Sequence, residues 1–192
     1  KKHGGFKYFK YSIPSWEYWC KKNNVELVIY DTPSDDEHIK HKPTWQRWFD
    51  VFNQLDKTNI EYDKIALIDA CTIIRWDTPN FFDFVDNGEV NLFRSLENIR
   101  WVHEGVSGYS DFFKKHYPNF NFNLKEYSSC GWQIFDKSHK LFLEKVRDFY
   151  YDNYDDIMVL QNEKVGRGTD QPVYNYLLQA ENVNVVHKLP PS

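Results

Sequence analysis

The chain has 192 residues, a net charge of −4, and an unusually aromatic composition with 7 Trp, 13 Tyr and 15 Phe. This length suffices for a single domain, residues 1–192, with its own core, and the negative charge argues against a nucleic-acid partner, which is usually met by a basic patch. No apolar run approaches the roughly 20 residues of a membrane span, and three cysteines without CxxC spacing argue against a disulfide framework or structural zinc and slightly favour a cytoplasmic location.

The first third of the chain predicts two helices and two strands. Apolar side chains at helical spacing in residues 6–22 predict a helix that either begins near Ser12 or kinks at Pro14. Residues 25–30, rich in Val and Ile, predict a strand. Thr44 is expected to cap a helix, and residues 64–68 predict the next strand. The helix after Thr44 has an apolar face made of Trp45, Trp48, Phe49, Phe52 and Leu55.

The rest of the chain continues the alternation of helices and strands, which predicts an α/β sheet flanked by helices. Because the chain opens in a helix and closes directly after a strand, we expect it to be a fragment of a longer protein. The predicted elements are a short helix at 79–85, strands at 90–93 and 99–102, a helix at 107–116, a strand at 131–135, a long helix from Ser138, a helix capped by Asp170 and a strand at 183–187.

The first candidate for chemistry is Asp69, which follows the apolar run 65–68. In open α/β sheets, ligands bind just beyond the carboxyl ends of strands, so Asp69 is predicted to project into a binding crevice. Asp77 provides a second carboxylate shortly afterwards. Such carboxylates can hold a metal–phosphate group. The alternative is that Asp69 is only a strand-end cap or turn residue.

Cys71 stands two residues after Asp69, where an Asp-x-Asp pair would grip a divalent cation from one side of an extended segment. A thiolate is a soft ligand and a poor match for Mg²⁺ or Mn²⁺. Asp69 would therefore bind the metal alone or through water, or Asp77 would replace the missing carboxylate. The alternative favoured by residue type is that Cys71 is a small buried hydrophobic side chain.

Two later segments carry polar or small residues where elements begin. Asp170 and Gln171 open the last helix, where they can accept hydrogen bonds from sugar hydroxyls, although Asp170 is equally suited to capping that helix. Gly131 lets a ligand approach the backbone and Trp132 can stack on it. Tight packing between strands explains Gly131 equally well.

His187 and Arg47 complete the candidate residues. His187 closes the last predicted strand as Asp69 closes an earlier one, so both are expected at one sheet edge, where an imidazole can complete a Mn²⁺ site. The alternative is a solvated or core histidine. Arg47 lies on the polar side of the aromatic helix and can reach a phosphate with its guanidinium group. The alternative is that Arg47 is simply solvated.

Taken together, four segments resemble the GT-A type of nucleotide-sugar glycosyltransferase. Their order and spacing agree with that family across about residues 25–188. Residues 44–49 resemble the helix before the metal strand, and residues 62–71 resemble the "tyrosine-aspartate-lysine, strand, DxD" segment. Residues 130–136 resemble the asparagine-alanine-glycine segment before an apolar strand. Residues 168–175 resemble the D-Q-P-x-x-N helix start of galactosyl- and mannosyl-type members.

The resemblance implies a Rossmann-like GT-A fold with a mixed, mostly parallel sheet flanked by helices. It also implies a UDP- or GDP-sugar donor bound with Mn²⁺ or Mg²⁺, and transfer of the sugar to a hydroxyl acceptor such as a glycan. Asp69 would be the first DxD carboxylate, Arg47 would approach the donor, and His187 would stand near a late metal-ligand position. Asp170 and Gln171 would face the donor sugar or the acceptor, and the Gln171 region slightly favours retention of anomeric configuration.

This chain departs from the family pattern in two places. Cys71 replaces the second DxD carboxylate, and the family's first strand would lie upstream of residue 6. Because of Cys71, a second possibility is a degenerate domain that binds a nucleotide sugar or a glycan without turnover. A third possibility is an interaction domain that holds a glycan or a protein on exposed Trp45, Trp48 and Trp132.

Overall fold

The computed structural model describes residues 7–95, 99–165 and 170–188. The helices are α1 (Phe9–Asn23), α2 (Glu37–His41), α3 (Gln46–Asp56), α4 (Ile99–His116), α5 (Lys140–Asp152), α6 (Tyr154–Val159) and α7 (Gln171–Ala180). The strands are β1 (Lys64–Ile68), β2 (Val90–Arg94), β3 (Ser128–Asp136) and β4 (Val185–Val186). Short 3₁₀ turns form at Pro43–Trp45, Phe81–Phe84, Leu124–Glu126 and Lys137–His139, and a π-helical segment at Leu160–Val165.

The strands form one mixed sheet in the order β1-β3-β2-β4. β3 runs antiparallel to both β1 and β2, and β4 runs parallel to β2. The α/β class is therefore confirmed, but the sheet is not mostly parallel in its described pairings, because β3 is inserted between two strands of the opposite direction. The carboxyl ends of β1, β2 and β4 and the start of β3 consequently lie at the same end of the strands, which is called the sheet edge below.

The larger hydrophobic core lies between the sheet and helices α3, α4, α5 and α7. The predicted apolar face of α3 is confirmed, since Trp45, Trp48 and Phe52 are buried. Trp48 stacks on Tyr174 of α7 with ring centroids 4.4 Å apart. Offset aromatic pairs of this kind add stability beyond the apolar area that they bury. This packing fixes α3, which carries Arg47, against α7, which begins directly after Asp170.

A second, smaller cluster lies under α1. Trp19 stacks on Phe81 with centroids 4.3 Å apart, and both pack against Ile134 of β3. Pro14 lies inside α1, which begins at Phe9 and continues through it. Of the two predicted alternatives, the longer helix is therefore correct. None of the helices in the described part of the chain is long and apolar enough to cross a membrane.

Two predicted strands are wrong. Residues 25–30 form no strand and pair with none among the described residues, and apolar side chains such as Ile29 stay exposed. A strand needs a neighbour, which local composition does not reveal. Residues 99–102 instead form the first turn of α4, whose buried face continues through Val102, Tyr109 and Phe113. A short apolar run alone does not distinguish a strand from a helix.

Several boundaries also differ from prediction. Thr44 lies inside the turn Pro43–Trp45 and does not cap α3. Ser138 lies in the turn Lys137–His139, and the Asp136 carboxylate accepts the hydrogen bond from its backbone N–H at 2.8 Å. The predicted helix at 79–85 is a single 3₁₀ turn, and the closing strand is reduced to β4. The first two residues of the 168–175 segment lie outside the described residues.

Candidate functional site

Asp69 directly follows β1 and is held by its backbone. Its N–H donates to the Gly131 carbonyl on β3 at 2.8 Å. Its own carbonyl accepts the Thr72 N–H at 2.9 Å and the Thr72 hydroxyl at 2.8 Å. The alternative interpretation of Asp69 as a turn residue is therefore correct for its backbone. Its carboxylate takes no part in the turn and faces α3. A carboxylate on a hydrogen-bonded strand end is a rigidly placed group.

Arg47 extends from α3 to this carboxylate. Its Nη1 donates to Asp69 Oδ1 at 2.7 Å and to the Cys130 carbonyl at 3.0 Å. Its Nε donates to the Thr44 carbonyl at 2.9 Å. The Arg47 side chain is 19% exposed, so the solvated alternative is wrong. The guanidinium fork is fixed by acceptors from three separate parts of the chain, which gives it a defined position and direction.

Asp170 brings a second carboxylate to the same guanidinium group. Asp170 Oδ2 lies 3.6 Å from Arg47 Nη2. The residue is 8% exposed, and Oδ2 has no hydrogen-bond partner within the described parts of the chain. Asp170 precedes α7, yet its side chain caps no N–H there, because its backbone is already helical at φ −97 and ψ −40. The capping alternative is therefore wrong.

The charges at this site do not balance. Two carboxylates flank one guanidinium group, so the ionised site carries excess negative charge. Burial raises the pKa of Asp69 above its ordinary value, Arg47 opposes this effect, and the nearby Asp170 adds to it. The site therefore favours a proton or a hydrogen-bond donor on Asp69.

Gln171 and Asn175 of α7 hydrogen-bond to the backbone at the start of β3. The Cys130 N–H donates to Gln171 Oε1 at 3.2 Å. The Ser128 N–H donates to Asn175 Oδ1 at 2.7 Å, and Asn175 Nδ2 returns a bond to the Ser128 carbonyl at 2.9 Å. Gln171 thus positions the backbone beside Asp69. Sequence reasoning assigned no role to Asn175, although it is the final residue of the D-Q-P-x-x-N pattern.

Gly131 lies directly against Asp69. A Cβ atom at this position would meet Asp69 Oδ2 at 3.1 Å. The pairing of β3 with β2 shifts register between Leu92 and Phe93, so Gly131 belongs to an irregular part of the strand. Such irregularities re-aim side chains beside functional sites. Close approach to a carboxylate, rather than to another strand, accounts for this glycine.

Trp132 turns away from the guanidinium group. Its ring packs on Phe93 at 4.5 Å and on Phe81 at 5.0 Å between centroids. These contacts place it in the smaller core cluster. Trp45 and Trp48 are buried in the larger one, so the three tryptophans do not form the exposed aromatic surface that an interaction domain would use.

No protein-family model, curated protein or solved structure matches the chain.

The predicted metal ligands Asp69, Cys71 and His187 do not come together. Cys71 lies in the turn after Asp69 and is exposed, which contradicts the buried alternative. His187 places Nδ1 2.8 Å from the Leu92 carbonyl and Nε2 3.5 Å from Glu126 Oε2. Within residues 7–95, 99–165 and 170–188, no group of three or more His, Cys, Asp or Glu is arranged to hold a metal ion.

The sheet order explains why His187 cannot join Asp69. They follow β4 and β1, the two outer strands of the described sheet. With about 4.8 Å between neighbouring strands, three steps separate them by about 14 Å, whereas ligands of one cation lie about 2.0–2.6 Å from it. His187 does lie at the predicted sheet edge, but it follows the outer strand opposite to β1.

Arg47 occupies the Asp69 carboxylate oxygen that Mn²⁺ or Mg²⁺ would bind. Arg47 already engages Asp69 Oδ1, so a cation there would have to displace the guanidinium group. Asp77, predicted as a possible replacement for the missing carboxylate, pairs with Arg75 through bonds of 2.6 and 3.0 Å.

Proposed function

We propose that this chain is a glycosyltransferase-type domain that binds a nucleotide-diphosphate sugar, UDP- or GDP-linked, beside Arg47 and transfers the sugar to a hydroxyl acceptor such as a glycan. One observation carries this proposal. Arg47 joins Asp69 and Asp170, which come from distant parts of the chain, at the sheet edge where β1, β2 and β4 end. Ligands of open α/β sheets bind at such edges.

The side chains supply distinct parts of this chemistry. Arg47 Nη2, which approaches Asp170 Oδ2 at 3.6 Å while Nη1 and Nε donate to other acceptors, can donate to a diphosphate leaving group. Asp170 Oδ2 is buried without a hydrogen-bond partner among the described residues, so a sugar hydroxyl can donate to it. Gln171 holds the Cys130 backbone in place. Gly131 leaves the approach to Asp69 open.

The excess negative charge would repel a diphosphate, so a proton or a cation must bind together with it. A proton on Asp69 would reduce the repulsion, in the direction in which burial shifts its pKa. Mn²⁺ or Mg²⁺ remains a predicted cofactor, and its binding would require Arg47 to release Asp69. We therefore expect donor binding to be detectable without added metal and to weaken as the pH rises.

The second candidate function is a degenerate domain that binds a nucleotide sugar or a glycan without turnover. The observation in its favour is the Arg47–Asp69 ion pair of 2.7 Å, together with the exposed Cys71 where a second carboxylate is expected. Both features weaken a metal-assisted reaction while leaving the binding site intact.

Isothermal titration of UDP- and GDP-sugars, with and without Mn²⁺, tests the proposal together with an assay of donor hydrolysis. Binding that is lost in Asp170→Asn, accompanied by hydrolysis or transfer in the wild type, supports the transferase. Binding without turnover supports the degenerate domain. Absence of binding by either donor, with and without Mn²⁺, overturns the transferase and the degenerate domain as a nucleotide-sugar binder.

A further inference from the structure

The loop that leaves Asp69, residues 70–79, presents two strongly exposed apolar side chains. Ile73 is 66% exposed and Trp76 is 68% exposed. Scattered apolar side chains on a surface need no explanation, but here two lie on one loop immediately after the candidate site. A tryptophan buries more apolar area on binding than most side chains, so its exposure forgoes much potential stabilisation.

Hydrogen bonds to α1 hold this loop in place. They come from both backbone and side-chain groups and are spread along its whole length. The bonds are Trp16 Nε1 to the Thr72 carbonyl (3.2 Å), Ile74 N–H to Ser15 Oγ (3.3 Å), Lys22 Nζ to the Trp76 carbonyl (3.0 Å) and Trp19 Nε1 to the Thr78 carbonyl (2.9 Å). The loop is therefore pre-organised, and a ligand that binds there pays little ordering entropy.

Charged groups border the Trp76 ring. Lys22 Nζ lies 6.0 Å from the ring centroid. On either side of Trp76 along the chain, Arg75 and Asp77 form a bidentate pair with bonds of 2.6 and 3.0 Å. The result is a flat apolar face with hydrogen-bonding groups at its margin. A pyranose ring has the complementary shape, since its C–H groups form an apolar face and its hydroxyls surround it.

We propose that Trp76 and Ile73 form a subsite for the acceptor glycan, with Asp77 and Lys22 at its polar margin. This inference rests on the proposed function for its role in transfer. It also reassigns Asp77, which was predicted to bind the donor, to the acceptor side. An extended chain covers at most about 3.6 Å per residue, so Ile73 and Trp76 lie within about 14 and 25 Å of Asp69. A short oligosaccharide spans that distance.

The experiment measures the binding of disaccharide probes and of the donor to the same variants. Lactose, maltose and mannobiose are the probes, followed by saturation-transfer NMR and calorimetry. The variants are Trp76→Ala, Trp76→Phe, and Tyr18→Ala as a matched control that removes another exposed aromatic side chain (56% exposed) from α1. Trp76 bonds to Lys22 through its carbonyl, so the Ala variant keeps the loop's hydrogen bonds.

We expect at least one disaccharide to bind the wild type and its affinity to fall about tenfold in Trp76→Ala, the scale of losing one well-used tryptophan anchor. Trp76→Phe should retain most of the affinity and Tyr18→Ala all of it. Donor affinity should be the same in all four proteins. Unchanged disaccharide binding in Trp76→Ala, or no binding of any probe to the wild type, overturns the subsite.

The two proposals fail in different ways. If the wild type binds a disaccharide through Trp76 but binds no UDP- or GDP-sugar, the subsite stands and the transferase function falls. If the donor binds and no disaccharide depends on Trp76, the opposite holds. Binding of a protein at Trp76 in place of any sugar would also overturn the glycan assignment.

Discussion

Two clusters of charge lie at the same edge of the sheet and differ in their balance of charge and in the burial of their arginine. In the first, Arg47 is largely buried and lies between the carboxylates of Asp69 and Asp170. In the second, Glu126 lies between Arg94 and His187, 3.3 and 3.5 Å away, with Arg94 and Glu126 well exposed. The first cluster has excess negative charge around a cation that is 19% exposed, whereas Arg94 in the second cluster is 48% exposed. The carboxylates of Asp69 and Glu126 are about equally exposed, at 41% and 40%.

The comparison shows that residues which follow strands at the same sheet edge do not necessarily form one site. Sequence reasoning placed Asp69 and His187 at this edge and expected them to hold one ion. The edge is correct, but β3 and β2 intervene between β1 and β4. The order of strands, which decides this separation, depends on non-local pairing.

The largest expected effect comes from removing the cation of the first cluster. Arg47→Ala leaves two partly or fully buried carboxylates facing each other, and we expect a loss of about 2–4 kcal/mol, below the range for fully buried pairs because Asp69 is partly exposed. Urea denaturation at neutral pH measures it. Arg94→Ala is the matched control, and its exposed pair should cost about 0–1 kcal/mol. Equal losses in the two variants would contradict the contrast between the clusters.

A smaller effect is expected at Gly131. Gly131→Ala places a Cβ about as close to Asp69 Oδ2 as nonbonded atoms tolerate, 3.1 Å, so the carboxylate must shift. We expect about 1 kcal/mol of destabilisation, within the range of mild overpacking, and weaker donor binding. In a double-mutant cycle, Asp69→Ala should remove most of the stability loss caused by Gly131→Ala. Additive effects would show that Gly131 does not act through Asp69.

The smallest stability effect is a pH dependence of opposite sign for two carboxylates. Burial raises the pKa of Asp69 in the folded chain, so its contribution to stability should fall as the pH rises from the unfolded-state value, about 3.9, through the folded value. Arg75 lowers the pKa of Asp77, so its contribution should be present above about pH 3.9 and be lost as the pH falls through the folded value. Denaturation of Asp69→Asn and Asp77→Asn against wild type from pH 3 to pH 7 measures both slopes. Slopes of the same sign would contradict these assignments.

No effect on metal dependence is expected from the second cluster. His187→Ala should leave any Mn²⁺ dependence of donor binding unchanged, because about 14 Å separates it from Asp69. Calorimetry of the donor with and without Mn²⁺ provides the test. Loss of a Mn²⁺ effect in His187→Ala alone would show that the two ends of the edge act together.

Local signals in the sequence predicted some features well. The face of α3 follows from the spacing of Trp45, Trp48 and Phe52, and the position of Asp69 follows from a short apolar run ended by a carboxylate. Arg47 was identified as a candidate because guanidinium matches phosphate, although its partners were unknown. These features depend on residues near one another in the chain, or on side-chain chemistry alone.

Features that depend on distant contacts or on backbone angles were missed. Residues 25–30 have strand composition but no partner in the described sheet. Asp170 has the residue type of a helix cap, and only its dihedral angles leave the carboxylate to Arg47. The exposure of Trp76 also escaped prediction, because residue type favours burial and only the fold shows which side of the loop 70–79 faces solvent.

The central claim is that a sugar nucleotide binds at the Arg47 end of the sheet edge and not at the His187 end. NMR titration of the wild type with UDP- and GDP-sugars, observing the Arg47 Nε–H and the His187 ring together, tests it directly. We predict a saturable shift of the Arg47 signal with one of the donors while the His187 signals stay in place. A shift confined to His187, or no shift of Arg47 with either donor in the presence or absence of Mn²⁺, would contradict the account.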